Sequence, residues 1–229
     1  MKVILFGATG MVGQGALREC LLDPEIERVL TVGRSKTGQR SAKLRELTLV
    51  DFTDFRPIEE ELSGWDACIF CLGISSAGMS EGDYRRVTYD VTLAAARVLV
   101  RLNPGMTFLY VSGTGTDGSA KGRPMWARVK GETENALLAL PFRASYMLRP
   151  AYIQPLHGIK SSTGWTRALY ALAGPAFPVW KALFPKSVTT TEQLGLAMLQ
   201  VARHGAPKRV LENEDLVALG RPAGPSTGR

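Results

Sequence analysis

Three glycines at intervals of three, Gly7, Gly10 and Gly13, lie in the stretch GATGMVG near the start of the chain. An apolar run of strand type, residues 2–6, precedes them. From Met11 the spacing becomes helical, with Val12, Ala16 and Leu17 apolar and Gln14, Arg18 and Glu19 polar. A strand, a glycine turn and a helix together bind phosphate. The glycines let the backbone approach a pyrophosphate closely, and the helix N-terminus offers free N–H groups at the positive end of its dipole. Gly7, Thr9, Gly10, Met11 and Val12 are therefore assigned to an anionic dinucleotide.

A second strand is expected over 27–33, followed at once by Arg34 in the sequence GRSK. In dinucleotide folds an acid about 20 residues past the glycine turn takes the ribose 2′-OH of NAD, and an arginine there accommodates the 2′-phosphate of NADP. Arg34 and Lys36 with no acid point to NADP, because a planar guanidinium matches a phosphate.

These residues need a scaffold, and the remaining pattern supplies one. Strands are expected at 46–50, 67–72, 106–112, 145–149 and 208–211. Helices are expected at 57–62, 83–101, 124–140, 189–204 and 212–219, with Thr190 or Thr191 capping the fourth. The alternation predicts a doubly wound α/β fold, with a parallel sheet of order 3-2-1-4-5-6-7 and helices on both faces. Ligands bind at the carboxyl edge of such a sheet. That edge holds Cys71-Leu72-Gly73, read as the corner beside the cofactor ribose, and Ser112-Gly113-Thr114. Cys68 and Cys71 form a C-x-x-C pattern, but no second pair or nearby histidine completes a metal site. No metal is expected.

The spacing G-x-x-G-x-x-G resembles that of the extended and atypical short-chain dehydrogenase/reductase families, including epimerase/dehydratase-like members. Lys130-Gly131-Glu132 on the 124–140 helix is similar to the Tat-interacting oxidoreductase group. The resemblance covers roughly residues 1–215. It implies that Lys130 binds the nicotinamide ribose and that Ser112 or Thr114 holds a substrate carbonyl. It also implies that Asp51 and Phe52 lie near the adenine and that Pro150 walls the nicotinamide. The families place a tyrosine four residues before the lysine as proton donor. Here that position is Trp126, whose indole has no ionisable proton. Tyr152 is an alternative donor. The resemblance thus implies an NADP-dependent reductase acting on an apolar carbonyl compound. The rival is a protein that keeps the cofactor site as a sensor or scaffold.

Length and composition fit this reading. The chain has 229 residues, 45% of them hydrophobic, enough for one α/β domain over 1–219. Within it 151–188 is expected to be a small substrate lid, and 220–229, rich in Gly, Pro, Ser and Thr, a disordered tail. The formal charge of +7 is scattered, without the basic–aromatic alternation of a nucleic-acid groove, so no nucleic-acid partner is expected. The apolar, aromatic-rich stretch 164–184 carries Trp165 and Trp180 and is a candidate substrate cover, partner patch or membrane-surface contact. Three cysteines, no spanning apolar run and no signal-peptide pattern lead to a cytoplasmic expectation, with a monomer or homodimer.

Overall fold

The computed structural model describes residues 1–159 and 188–221. Seven parallel strands form one sheet: β1 (Lys2–Phe6), β2 (Arg28–Gly33), β3 (Leu44–Thr48), β4 (Ala67–Phe70), β5 (Thr107–Val111), β6 (Ala144–Arg149) and β9 (Val210–Glu212). Their order is β3-β2-β1-β4-β5-β6-β9. Taking β9 as the seventh sheet strand, this is the predicted order. Two further strands, β7 (Tyr152–Gln154) and β8 (Val188–Thr190), pair in parallel apart from the main sheet. They are too short to leave a periodic signal.

Each face of the sheet buries its own core, as the two-residue alternation of a strand requires. Val3 and Leu5 point to a cluster shared with α1 (Met11–Leu22), α5 (Thr191–His204) and α6 (Asn213–Leu219). Ile4 and Phe6 point to the other, with Phe70, Phe108 and Leu99 of α3 (Val91–Leu102). On the first face α1 and α5 touch through small residues. A Cβ placed on Gly15 would lie 2.7 Å from the Thr191 carbonyl oxygen, and one on Gly195 2.6 Å from Glu19 Cγ. Thr190 caps α5 by accepting the Gln193 N–H at 3.0 Å.

Several expected boundaries move. The third strand is Leu44–Thr48, two residues earlier than expected, and the 57–62 helix is a 3-10 turn, Arg56–Leu62. The single helix expected over 83–101 is two, α2 (Glu81–Arg85) and α3, joined by a π-helical turn at Arg86–Asp90. Gly220 does not begin a tail. It caps α6, and a Cβ on it would meet the Gln193 carbonyl oxygen at 2.0 Å. The remainder of the expected tail from 222, and most of the expected lid with the 164–184 stretch, lie outside the described residues.

Candidate functional site

The three glycines of the turn do three different jobs. Gly7 has φ +77°, a left-handed conformation that favours glycine, and a Cβ there would lie 2.7 Å from the Cys71 backbone. Gly13 lets α1 press onto the turn: its Cβ would lie 2.1 Å from the Gly7 carbonyl oxygen. Gly10 is the N-cap of α1 in extended conformation, with no side chain capping the helix. A Cβ on it would meet only the Gly7 carbonyl oxygen, at 3.3 Å. The first turn of α1 therefore presents backbone N–H groups at an open approach.

That approach is one wall of a cleft of about 740 Å³ at the carboxyl edge of the sheet. Gly7, Thr9, Gly10 and Val12 line it from the turn, and Gly33, Arg34 and Ser35 from the end of β2. Phe52 comes from beyond β3, Cys71, Leu72 and Gly73 from the end of β4, Ser112 from the end of β5 and Lys130 from α4 (Met125–Leu138). Residues up to 123 positions apart in sequence thus meet in one site. The sequence reading missed Val50, Ile74, Ser75, Val87, Val91 and Val111, which also line it. Val50 is 93% exposed, and an apolar residue that open at the edge of a cleft is the signal that composition alone does not give.

Six expected residues do not line this cleft. Met11 packs against the α1–α5 core. Lys36 is exposed on the loop after β2. Asp51 is exposed and accepts the Thr53 N–H at 2.8 Å and its hydroxyl at 2.6 Å. Thr114 donates its hydroxyl to the Arg149 carbonyl at 3.0 Å. Pro150 is buried and its carbonyl accepts the Thr114 N–H at 2.9 Å. Trp126 lays its indole over Gly115, with Cη2 3.2 Å from where a Gly115 Cβ would be. Tyr152 is also absent from the lining. Its hydroxyl donates to Gln154 Oε1 at 3.1 Å.

Lys130 is the charged centre of the inner wall. Its Nζ donates to the Ser112 carbonyl oxygen at 2.6 Å and lies 5.8 Å from the Tyr110 ring centroid. Burial disfavours the ammonium and lowers its pKa from 10.5 to about 8, with Glu134 opposing the shift. Beneath it lies a polar network that the sequence reading did not find. Ser112 Oγ donates to Glu134 Oε1 at 2.5 Å. Arg149 holds Glu134 with two bonds, Nε to Oε1 at 3.0 Å and Nη2 to Oε2 at 2.5 Å, and reaches Glu212 at 3.0 Å with Nη1. Glu134 is 1% exposed. A carboxylate that buried persists because it is fully hydrogen-bonded. The signal available in sequence was its place four residues after Lys130, one turn along the same helix face.

Cys68 is buried and Cys71 half-buried, both free thiols, and burial raises the thiol pKa of each. A second cavity of about 590 Å³ lies over the outer face of α1. In its lining Arg18 is paired with Glu19, and the His157 ring meets the Glu192 carboxylate at 2.5 Å.

The comparisons with known proteins agree with the fold. A mitochondrial protein named FMP52-2 from Scheffersomyces stipitis is 29% identical over 153 residues, covering 65% of each chain. One named fmp52, mitochondrial, from Emericella nidulans is 31% identical over 159 residues, covering 66% of each. The chain thus spans slightly less than two thirds of these relatives' length. The dTDP-glucose 4,6-dehydratase DesIV of Streptomyces venezuelae, solved with NAD bound, superposes with TM-score 0.68 at 14% identity, over 96% of this chain and 80% of its own. The cytoplasmic expectation is overturned: the curated relatives are named as mitochondrial proteins. Three free cysteines do not identify a compartment. Residues 3–141, more than half of the chain, match the family described as "NAD dependent epimerase/dehydratase family", and the chain belongs to that family.

Proposed function

We propose that the chain binds NADP in the cleft between Gly10, Arg34 and Lys130 and acts as a reductase or epimerase-like protein on an apolar carbonyl compound. The observation that carries this reading is the meeting, in one cleft, of an uncapped helix N-terminus, an exposed guanidinium and a half-buried lysine. The residues fit the group. The space before Gly10 is open where a side chain would block a pyrophosphate. Arg34 follows β2 where the 2′-phosphate is read, and Val50 and Phe52 offer an apolar face for adenine.

When bound, the nicotinamide supplies a hydride donor or acceptor. The chain's own residues do the rest. Lys130 holds ribose hydroxyls through its ammonium. Val87, Val91 and Val111 line the cleft with apolar surface, which favours an apolar substrate and excludes water. Trp126 has no acidic proton, the Ser112 hydroxyl donates to Glu134, and the Thr114 hydroxyl donates to the Arg149 carbonyl. A bound water or Tyr152 would have to carry the proton.

The same observation favours a second reading, an NADP-dependent sensor or scaffold without turnover. NADPH oxidation measured over a panel of aldehydes, ketones and quinones separates the two. Turnover with an apolar carbonyl supports the reductase. Tight NADPH binding with no turnover across the panel decides for the sensor.

A further inference from the structure

Glu134 lies beneath the cleft and is absent from its lining, yet it bonds the serine that holds Lys130. Its Oε1 takes the Ser112 hydroxyl at 2.5 Å, and the carbonyl of the same serine takes Lys130 Nζ at 2.6 Å. Glu134 follows Lys130 by one turn of α4, so the two side chains share a helix face. Its other partner, Arg149, comes from the end of β6 and is tied in turn to Glu212, the N-cap of α6. One buried carboxylate thus joins α4 to the carboxyl ends of β5 and β6.

We propose that Glu134 is a positioning residue for this site: it fixes the Ser112 backbone that aims Lys130 and keeps the lysine a charged ammonium facing the cleft. The inference rests on the reading of Lys130 as a cofactor-binding lysine, which it deepens. A lysine with this much of its head group buried loses its proton readily unless a carboxylate stands near it. Among the described residues, few groups surround Lys130. Tyr110 from β5 presents its ring, and Tyr84 from α2 lies behind it. Both are buried phenols whose pKa values burial raises, so both stay neutral. Cys71, from the end of β4, is likewise held neutral by burial. On α4 itself, Arg128 is paired with Glu81 and Glu132 with Arg85. Arg149 lies beyond Glu134 and is paired with it. Glu134 is the carboxylate that acts on Lys130, against the desolvation that lowers the lysine's pKa.

The test reads Lys130 directly and without cofactor. Protein labelled with ¹³C at the lysine side chains is titrated by NMR, with Lys130→Arg identifying the resonance. In wild type the Lys130 midpoint is expected near pH 8. Glu134→Gln is expected to lower it by about one unit, and Glu134→Asp to restore most of the difference. If Glu134→Gln does not fold, the double variant Glu134→Gln/Arg149→Met removes the buried pair together, a change such cores tolerate, and the same fall is expected. A purely structural Glu134 would lower the melting temperature and leave the midpoint where it is, and that result overturns the proposal. A parallel NADPH titration keeps the two readings apart. A Lys130 midpoint that falls in a protein that binds no NADPH sinks the cofactor reading and leaves the positioning role standing.

Discussion

Ser112 links Lys130 to Glu134: its carbonyl accepts from Lys130 Nζ at 2.6 Å, and its hydroxyl donates to Glu134 at 2.5 Å. The serine therefore serves as a hinge pin between lysine and carboxylate. Its hydroxyl proton is not aimed at the cleft, which bears on the chemistry expected of it.

The first prediction concerns pH. Below about pH 8 Lys130 is an ammonium and holds a ribose. As pH rises through 8 it becomes neutral, so NADPH affinity should fall over pH 7–9. Stability should move the other way. The folded pKa is depressed, so the unfolded chain binds more protons between about 8 and 10.5. Over that window this one group raises stability with pH, by up to about 1.4 kcal/mol per unit. Affinity by fluorescence titration and stability by urea unfolding, both against pH, check the two signs. Lys130→Met should flatten both contributions.

Arg34→Ala should weaken NADPH by about 10–100-fold and leave NADH nearly unchanged. A charge-assisted contact to the 2′-phosphate contributes roughly 1.5–3 kcal/mol. Equal NADPH and NADH affinities in wild type would remove the NADP preference.

Gly13→Ala should destabilise the fold, by about 1–3 kcal/mol as for overpacked cores. The new Cβ would lie 2.1 Å from the Gly7 carbonyl oxygen, and α1 would have to shift. Thermal unfolding reads it. An unchanged melting temperature would mean that α1 does not press on the turn as described.

The glycine turn, the order of the main sheet and the meeting of Arg34 with Lys130 at one edge were legible because each rests on spacing within the chain. What was not legible depends on side-chain direction. Trp126 and Lys130 are four apart on one helix, yet the lysine faces the cleft and the indole lies on Gly115. Glu134 has the same spacing from Lys130, and only its bonds to Ser112 and Arg149 show why a carboxylate is buried there. The π turn at Arg86–Asp90 escaped notice because one turn of altered winding does not disturb an apolar stripe. The apolar run extends past the third strand because Leu49 is buried beyond the strand's end.

The indole of Trp126 lies over Gly115 and outside the cleft, so a tyrosine gains function there only by turning from Gly115 toward Lys130, one helical turn along α4. Trp126→Tyr, with its smaller ring free to make that turn, should create or raise NADPH-dependent reduction of carbonyl compounds, because general acid assistance is worth about 10²–10⁴-fold. Adding Lys130→Met should abolish the gain. Robust native turnover that falls in Trp126→Tyr would mean that another group carries the proton and that the indole shapes the pocket.

Calorimetric titration of wild type and Gly10→Val with NADPH and NADH at pH 7, alongside their melting temperatures, bears most directly on the claim that this cleft binds a dinucleotide. Gly10 has φ −75°, which any residue adopts, and its Cβ would lie 3.3 Å from the Gly7 carbonyl oxygen, a contact that a shift of a few tenths of an ångström relieves, so valine should keep the fold while filling the approach to the first turn of α1. Wild type should bind NADPH more tightly than NADH, and Gly10→Val should lose both while melting near the wild-type temperature. Binding by Gly10→Val equal to that of wild type, or no binding of either cofactor by wild type, would contradict the account.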